Sequence, residues 1–126
     1  MKLKNKDIYN YNNNLTIAFN DNNKYFPVKV NFIIQKNKRL LSGLSSEIDL
    51  YRRNIGELYG TLSEEEGVYN ISKEKLSAAQ KELNELMEVE QEVNIIMIPL
   101  KDIENLEFTS NQMDAMLFMI NEEQAE

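Results

Sequence analysis

The chain has 126 residues and a formal net charge of −7, because 21 Asp and Glu outweigh 14 Lys and Arg. It contains no Cys, which excludes disulfides, thiolate metal sites and cysteine nucleophiles. It also contains no His, so the commonest general base and transition-metal ligand are missing. An acidic chain is poorly suited to general nucleic-acid binding. The composition therefore favours a non-enzymatic protein with no cofactor and no metal.

The charge is unevenly distributed along the chain. Residues 1–60 carry 10 basic and 5 acidic side chains, whereas residues 61–126 carry 4 and 16. We interpret this split as two halves that pack together, since the basic residues are too scattered for a phosphate-binding track. Apolar runs such as residues 95–98 are far too short to span a membrane, and the basic start of the chain lacks the apolar stretch of a signal peptide. We therefore expect a cytoplasmic protein.

Two helices are predicted in the first half of the chain. Apolar side chains recur every three or four residues from Ile8 to Phe19, which predicts a helix over residues 5–19. Residues 20–23 predict a turn. Pro27 favours the start of a second, long helix, and Gly60 its end.

The long helix carries the strongest pattern in the sequence, with two series of residues seven apart. Such spacing predicts one apolar seam along the helix, and Asn37 is its one polar member. Two internal glycines, Gly43 and Gly56, reflect either close approach of another backbone or simple tolerance. The two series are Val30, Asn37, Leu44, Tyr51 and Leu58, and Ile34, Leu41, Ile48 and Ile55.

The second half predicts shorter elements. Residues 64–67 form an acidic turn, residues 68–71 one arm of a small hairpin, and Ser72 the N-cap of a helix over residues 73–91. Residues 93–98 predict a strand, whose partner is residues 68–71, residues 107–108 or a second copy of the chain. Thr109 and Gln112 form a capping box for a last helix over residues 110–122, followed by a frayed tail.

These elements define a mainly α (α+β) fold: a long antiparallel helical hairpin with a short strand or small hairpin and flanking helices. We expect one domain over residues 1–126. Its parts are an N-terminal helix and turn over residues 1–23, the helical hairpin over residues 24–92, and a strand with a C-terminal helix over residues 93–126.

A candidate interface follows from the length of the apolar seam. The long helix exceeds the shorter arm of the hairpin, so part of its seam needs another cover, and we expect a homo-oligomer. A buried Asn at a seam position commonly fixes register between helices; alternatively, Asn37 faces water. The methionines of the last helix either pack in the core or dock on a partner. The candidate interface residues are Asn37, Leu44, Tyr51, Met113, Met116 and Met119.

A candidate acidic surface lies late in the hairpin. It consists of Glu82, Glu85, Glu88 and Glu92, with Glu90 between the last two. One interpretation is a surface that mimics phosphates and competes with nucleic acid for a basic groove. The other is a solvated helix face that meets Arg52 and Arg53 across the hairpin, a kind of contact that contributes little stability.

The layout resembles a group of small uncharacterised bacteriophage and prophage proteins of low-GC Gram-positive bacteria. The resemblance covers residues 24–122 and implies a phage-encoded protein, with no active-site residues to transfer. We expect a protein-binding module, in its most concrete version an inhibitor of a host defence or regulatory protein. The alternative is a homo-oligomeric structural or assembly protein of a phage particle. The matching segments are residues 26–30, 36–37, 59–60, 68–71, 92–93 and 98–100.

Overall fold

The computed structural model describes residues 1–20, 26–63 and 67–121. Most of the turn predicted at residues 20–23, the acidic residues 64–66 and the tail after residue 121 lie outside this part. The chain is mainly helical with a little β-structure, as predicted. In order, it forms β1 (Lys2–Lys4), α1 (Asn5–Ala18), α2 (Val28–Tyr59), β2 (Gly60–Ser63), β3 (Val68–Ile71), α3 (Lys73–Glu88), β4 (Glu90–Glu92), β5 (Ile98–Pro99), α4 (Ser110–Met116) and β6 (Ile120–Asn121).

The core surrounds the first two thirds of α2. Val30, Ile34, Leu41 and Ile48 are buried there against side chains of α1, α4 and the segment around Val93. Among the described residues, the buried apolar side chains of this cluster come from positions 3–48 and 93–119. The N-terminal helix, the hairpin and the C-terminal region therefore share one core.

Asn37 is fully buried, and its amide group binds the backbone of Ile96. Its Nδ2 donates to the Ile96 carbonyl at 2.9 Å, and the Ile96 N–H donates to its Oδ1 at 2.9 Å. The prediction that Asn37 faces water is wrong, and its partner is this chain itself. Asn37 thus satisfies both backbone groups of Ile96, which is the task a neighbouring strand would otherwise perform.

The apolar seam of α2 is buried at its start and exposed at its end. A straight α-helix falls about 20° short of two full turns every seven residues, so a seven-residue series drifts sideways. Over the four heptads from Val30 to Leu58 the drift reaches about 80°. Val30 and Asn37 are buried, Leu44 is half-buried, and Tyr51 and Leu58 are exposed. The seven-residue series therefore leaves the core instead of following it.

The strand predicted over residues 93–98 does not form as one unit. β4 pairs antiparallel with β1, with Lys2 opposite Glu92 and Lys4 opposite Glu90. β5 pairs in parallel with β6, with Ile98 opposite Ile120. Neither of the two predicted partners within the chain, residues 68–71 and 107–108, is used. Beside Ile96, the side chain of Asn37 makes the hydrogen bonds that a neighbouring strand would make. The strand β1 was not predicted because its three residues are too few to establish a pattern.

The small hairpin and the capping box are confirmed. β2 pairs antiparallel with β3 from Gly60–Ile71 to Ser63–Val68. The Thr109 N–H donates to Gln112 Oε1 at 2.9 Å, and the Gln112 N–H donates to Thr109 Oγ1 at 3.1 Å. The last helix is shorter than predicted, because the chain tightens into a 3₁₀ turn over Leu117–Met119 and then enters β6.

Candidate docking site on the helical arm

The distal part of the helical hairpin extends beyond the core. We call this part the arm, and it comprises residues 49–63 and 67–89. Among the arm's described side-chain positions, Gly56 and Ala79 alone are buried. Large apolar side chains of the arm are instead half exposed or more, namely Leu50, Tyr51, Leu58, Val68, Leu76 and Val89. Soluble proteins seldom leave clustered apolar surface uncovered unless it serves binding.

A polar cluster fixes the base of the arm against α1. The Tyr9 hydroxyl donates to the Asp49 carboxylate. The Arg52 guanidinium lies 3.6 Å from the same carboxylate and 5.5 Å from the centroid of the Tyr9 ring. Partial burial, together with the bond to Asp49, raises the pKa of the Tyr9 hydroxyl. Arg52 therefore pairs on its own helix and not with the α3 glutamates, which corrects that interpretation.

The tip of the arm depends on a close contact at Gly56. A Cβ atom at this position would lie 2.6 Å from Cδ2 of Tyr69 on β3, which is too close for any side chain. The Tyr69 hydroxyl in turn donates to Glu57 Oε1 at 3.1 Å. The small hairpin thus packs flat on the end of α2. Gly43, by contrast, has open space around it and is simply tolerated.

A shallow trench of about 350 Å³ runs between the end of α2 and the end of α3. We call it the acidic trench. On the α2 side it is lined by Tyr51, Ile55 and Leu58, and on the α3 side by Glu82, Glu85 and Val89. Tyr51, Leu58 and Val89 are 53%, 65% and 52% exposed. The two charged side chains of its lining are both carboxylates.

Glu82 is the most unusual side chain of the trench. Its carboxylate interacts with the Tyr59 hydroxyl and raises the pKa of Tyr59. Its Oε2 is buried and has no hydrogen-bond partner among the described residues. A buried carboxylate oxygen without a partner is costly. Glu82 therefore brings to the trench lining a carboxylate whose Oε2 no described residue satisfies.

The opposite side of the arm carries a second groove of about 660 Å³, with basic residues at its rim. Arg52 and Arg53 line it, together with apolar side chains that include Val68 and Leu76. Arg52 is already paired with Asp49. Asp49 also lines this groove, so its charges are partly balanced, whereas the two charged side chains of the acidic trench are both carboxylates.

Of the predicted interface residues, Tyr51 alone lies exposed in the trench. Asn37, Met116 and Met119 are completely buried in the core, so they form no docking surface, and the core interpretation of the methionines holds for these two. Leu44 and Met113 are half-buried and pack on the same core. Leu58 and Val89 were missed as site residues, although the sideways drift of the seven-residue series could have revealed Leu58.

The predicted acidic surface divides into two parts. Glu82 and Glu85 line the trench, whereas Glu88 and Glu92 are neutralised by this chain's own cations. Glu88 lies 2.7 Å from Lys4 Nζ and 2.8 Å from Lys6 Nζ, and Glu92 lies 2.8 Å from the ammonium of Met1. Hydrogen bonds to the two lysines lower the pKa of Glu88 from 4.5 to about 2. This cluster therefore stabilises the fold above about pH 4.5, and its contribution is lost as the pH falls toward 2.

Within residues 1–20, 26–63 and 67–121, no three acidic side chains are placed to hold a metal ion. None of the described helices has the length and apolar character required to cross a membrane. Comparisons with protein-family models, with curated proteins and with solved structures gave no match.

Proposed function

We propose that this protein is a non-enzymatic protein-binding module whose helical arm docks on another protein. The observation that carries the proposal is the exposure of Tyr51, Leu58 and Val89 along one trench, beyond the end of a well-packed core. Aromatic and aliphatic anchors of this kind supply most of the binding energy in protein interfaces. The absence of His and Cys from the sequence also supports binding over catalysis.

Inhibition of a host defence or regulatory protein by a phage-encoded protein is the most concrete version of this proposal. Its support is the resemblance of residues 24–122 to small phage proteins, together with an arm suited to stoichiometric docking. The cytoplasm of the host cell is the compartment that this version requires.

A homo-oligomeric assembly role is the alternative, and one observation favours it. The two grooves of the arm differ in charge: Arg53 lines one beside the paired Arg52 and Asp49, and Glu82 and Glu85 line the other. Copies could therefore stack one arm on the next. Light scattering at micromolar concentration separates the two roles, because a monomer contradicts stacking and an oligomer supports it.

Affinity capture with matched variants tests the docking proposal. We expect the wild-type protein to retain a defined protein from lysates of low-GC Gram-positive cells. The trench variant Tyr51→Ser with Leu58→Ser should retain at least about tenfold less of that protein, since two exposed anchors are removed. The control Ile17→Ser with Val28→Ser removes two apolar side chains that are 74% and 85% exposed outside the trench, and should retain it.

Thermal melts establish that all of these variants fold alike, because surface substitutions usually change stability by less than about 0.5 kcal/mol. A protein retained equally by the trench variant and the control would contradict the proposal. So would failure of the wild type to retain any protein.

A further inference from the structure

We propose that the acidic trench binds a basic amphipathic helix of another protein. This inference rests on the proposed function and specifies the chemistry of the partner. Two properties of the trench carry it: a shape made by two neighbouring antiparallel helices, and a charge to which this chain supplies no counter-ion among its described residues.

The shape of the trench matches a third helix. Tyr51 and Leu58 are seven residues apart on α2, so they are about 10.5 Å apart along its axis, which is two helical turns. On α3, Glu82 and Glu85 are three residues apart, and Val89 is the C-cap residue that follows the end of that helix. An amphipathic helix with apolar residues at positions i, i+3 or i+4, and i+7 would place them between these two rows.

The charge of the trench determines which residues are favoured beside the apolar face of that helix. Glu85 has no hydrogen bond or ion pair among the described residues, and Glu82 keeps one buried oxygen without a partner. Glu88 and Glu92 on the continuation of the same segment are paired with cations of this chain. The fold therefore neutralises the acidic surface near the core and leaves it unpaired in the trench. Lys or Arg on the flank of a docking helix would supply the missing charge.

A pair of synthetic peptides tests the inference by fluorescence anisotropy. Both are 18-residue helical peptides with Leu at the same apolar positions, and their flanks carry Lys in one and Glu in the other. We expect the Lys peptide to bind the wild-type protein and the Glu peptide not to bind. Binding should weaken as salt is raised, because exposed ion pairs are screened.

Two variants with the same change in net charge separate docking from bulk attraction to an acidic protein. Glu85→Lys reverses a charge inside the trench and should weaken binding of the Lys peptide by about tenfold or more. Glu104→Lys makes the same change on an exposed residue away from the trench. Glu104 follows the 3₁₀ turn of Leu100–Asp102, whose Asp102 pairs with Lys29 at the other end of α2. This variant should leave binding nearly unchanged.

Equal losses in the two variants would overturn the inference, since they would indicate non-specific charge attraction. Equal or tighter binding of the Glu peptide, or no binding of either peptide, would overturn it too. The docking proposal would survive any of these results if the affinity capture still depended on Tyr51 and Leu58. Loss of that dependence would refute the docking proposal itself.

Discussion

Replacing Asn37 with Leu should destabilise the protein by about 2 kcal/mol. The substitution keeps a side chain branched at Cγ, but Leu is larger than Asn, and it removes both hydrogen bonds to the backbone of Ile96. The N–H and C=O groups of Ile96 would then lack partners at the edge of the core, and each such group costs about 1–3 kcal/mol unless water reaches it. Since Ile96 is partly exposed, water should recover some of this cost. Urea unfolding measures the change directly.

Ser45→Ala is the matched control for this prediction. Ser45 is also a buried polar residue of α2, but its hydroxyl has no hydrogen-bond partner among the described residues. Its removal should leave stability unchanged or raise it slightly, because Ala is also the better helix former. A melt of the Asn37→Leu variant at or above the wild-type temperature would contradict the proposed role of Asn37. Such a result would instead match the expectation from the apolar seam alone, in which a buried Asn costs stability and Leu in its place raises it.

Gly56→Ala should destabilise the arm even though Ala is intrinsically the better helix residue. The added methyl group would lie 2.6 Å from the Tyr69 ring, so the small hairpin must shift away from α2. Overpacking of this kind costs about 1–3 kcal/mol, whereas the gain in helix propensity is about 1 kcal/mol. We expect a net loss, with faster hydrogen exchange of the β2–β3 amides as the local sign of it.

Gly43→Ala provides the opposite result on the same helix. Apart from the adjoining backbone of the helix itself, no described atom lies within 4 Å of the added Cβ, so the variant should gain up to about 1 kcal/mol from helix propensity. Chemical unfolding of the two variants side by side isolates the contact with Tyr69, because everything else about the substitutions is the same. Equal stabilisation by both would contradict the packing described for the arm tip.

Local patterns in the sequence were sufficient to predict the helices. Apolar spacing from Ile8 to Phe19 predicts α1 within a residue or two of its observed bounds. Pro27 and Gly60 do the same for the start and the end of α2. The Thr109–Gln112 capping box places the start of α4 in the same way. These signals lie within one element and need no knowledge of the fold.

The strand pairings were not accessible in this way. β1 and β4 are three residues each and lie far apart in the sequence, and the β5–β6 pair has two residues on each side. So few residues establish no alternating pattern. Asn37 was recognisable as unusual in its seam, but its binding to Ile96, 59 positions away, depends on tertiary packing alone.

Some residues of the candidate site were predicted from the sequence, and other predicted residues lie in the core. Tyr51, Glu82 and Glu85 were singled out from the sequence and meet in one trench. The prediction failed for Asn37, Met116 and Met119, because an apolar or seam position alone does not tell a core from a docking face. On α2, the sideways drift of seven-residue spacing would have separated the buried Asn37 from Tyr51 and Leu58, which it carries out of the core; it has no bearing on Met116 and Met119.

Site-specific photo-crosslinking tests most directly whether the trench is the docking surface. The chain has no Cys, so one introduced Cys can carry a benzophenone label without competition. We expect Leu58→Cys, labelled and irradiated in a lysate of low-GC Gram-positive cells, to give one covalent adduct of defined mass. Val28→Cys, at the other end of the same helix and 85% exposed, should give none. An adduct from Val28→Cys without one from Leu58→Cys would contradict the account.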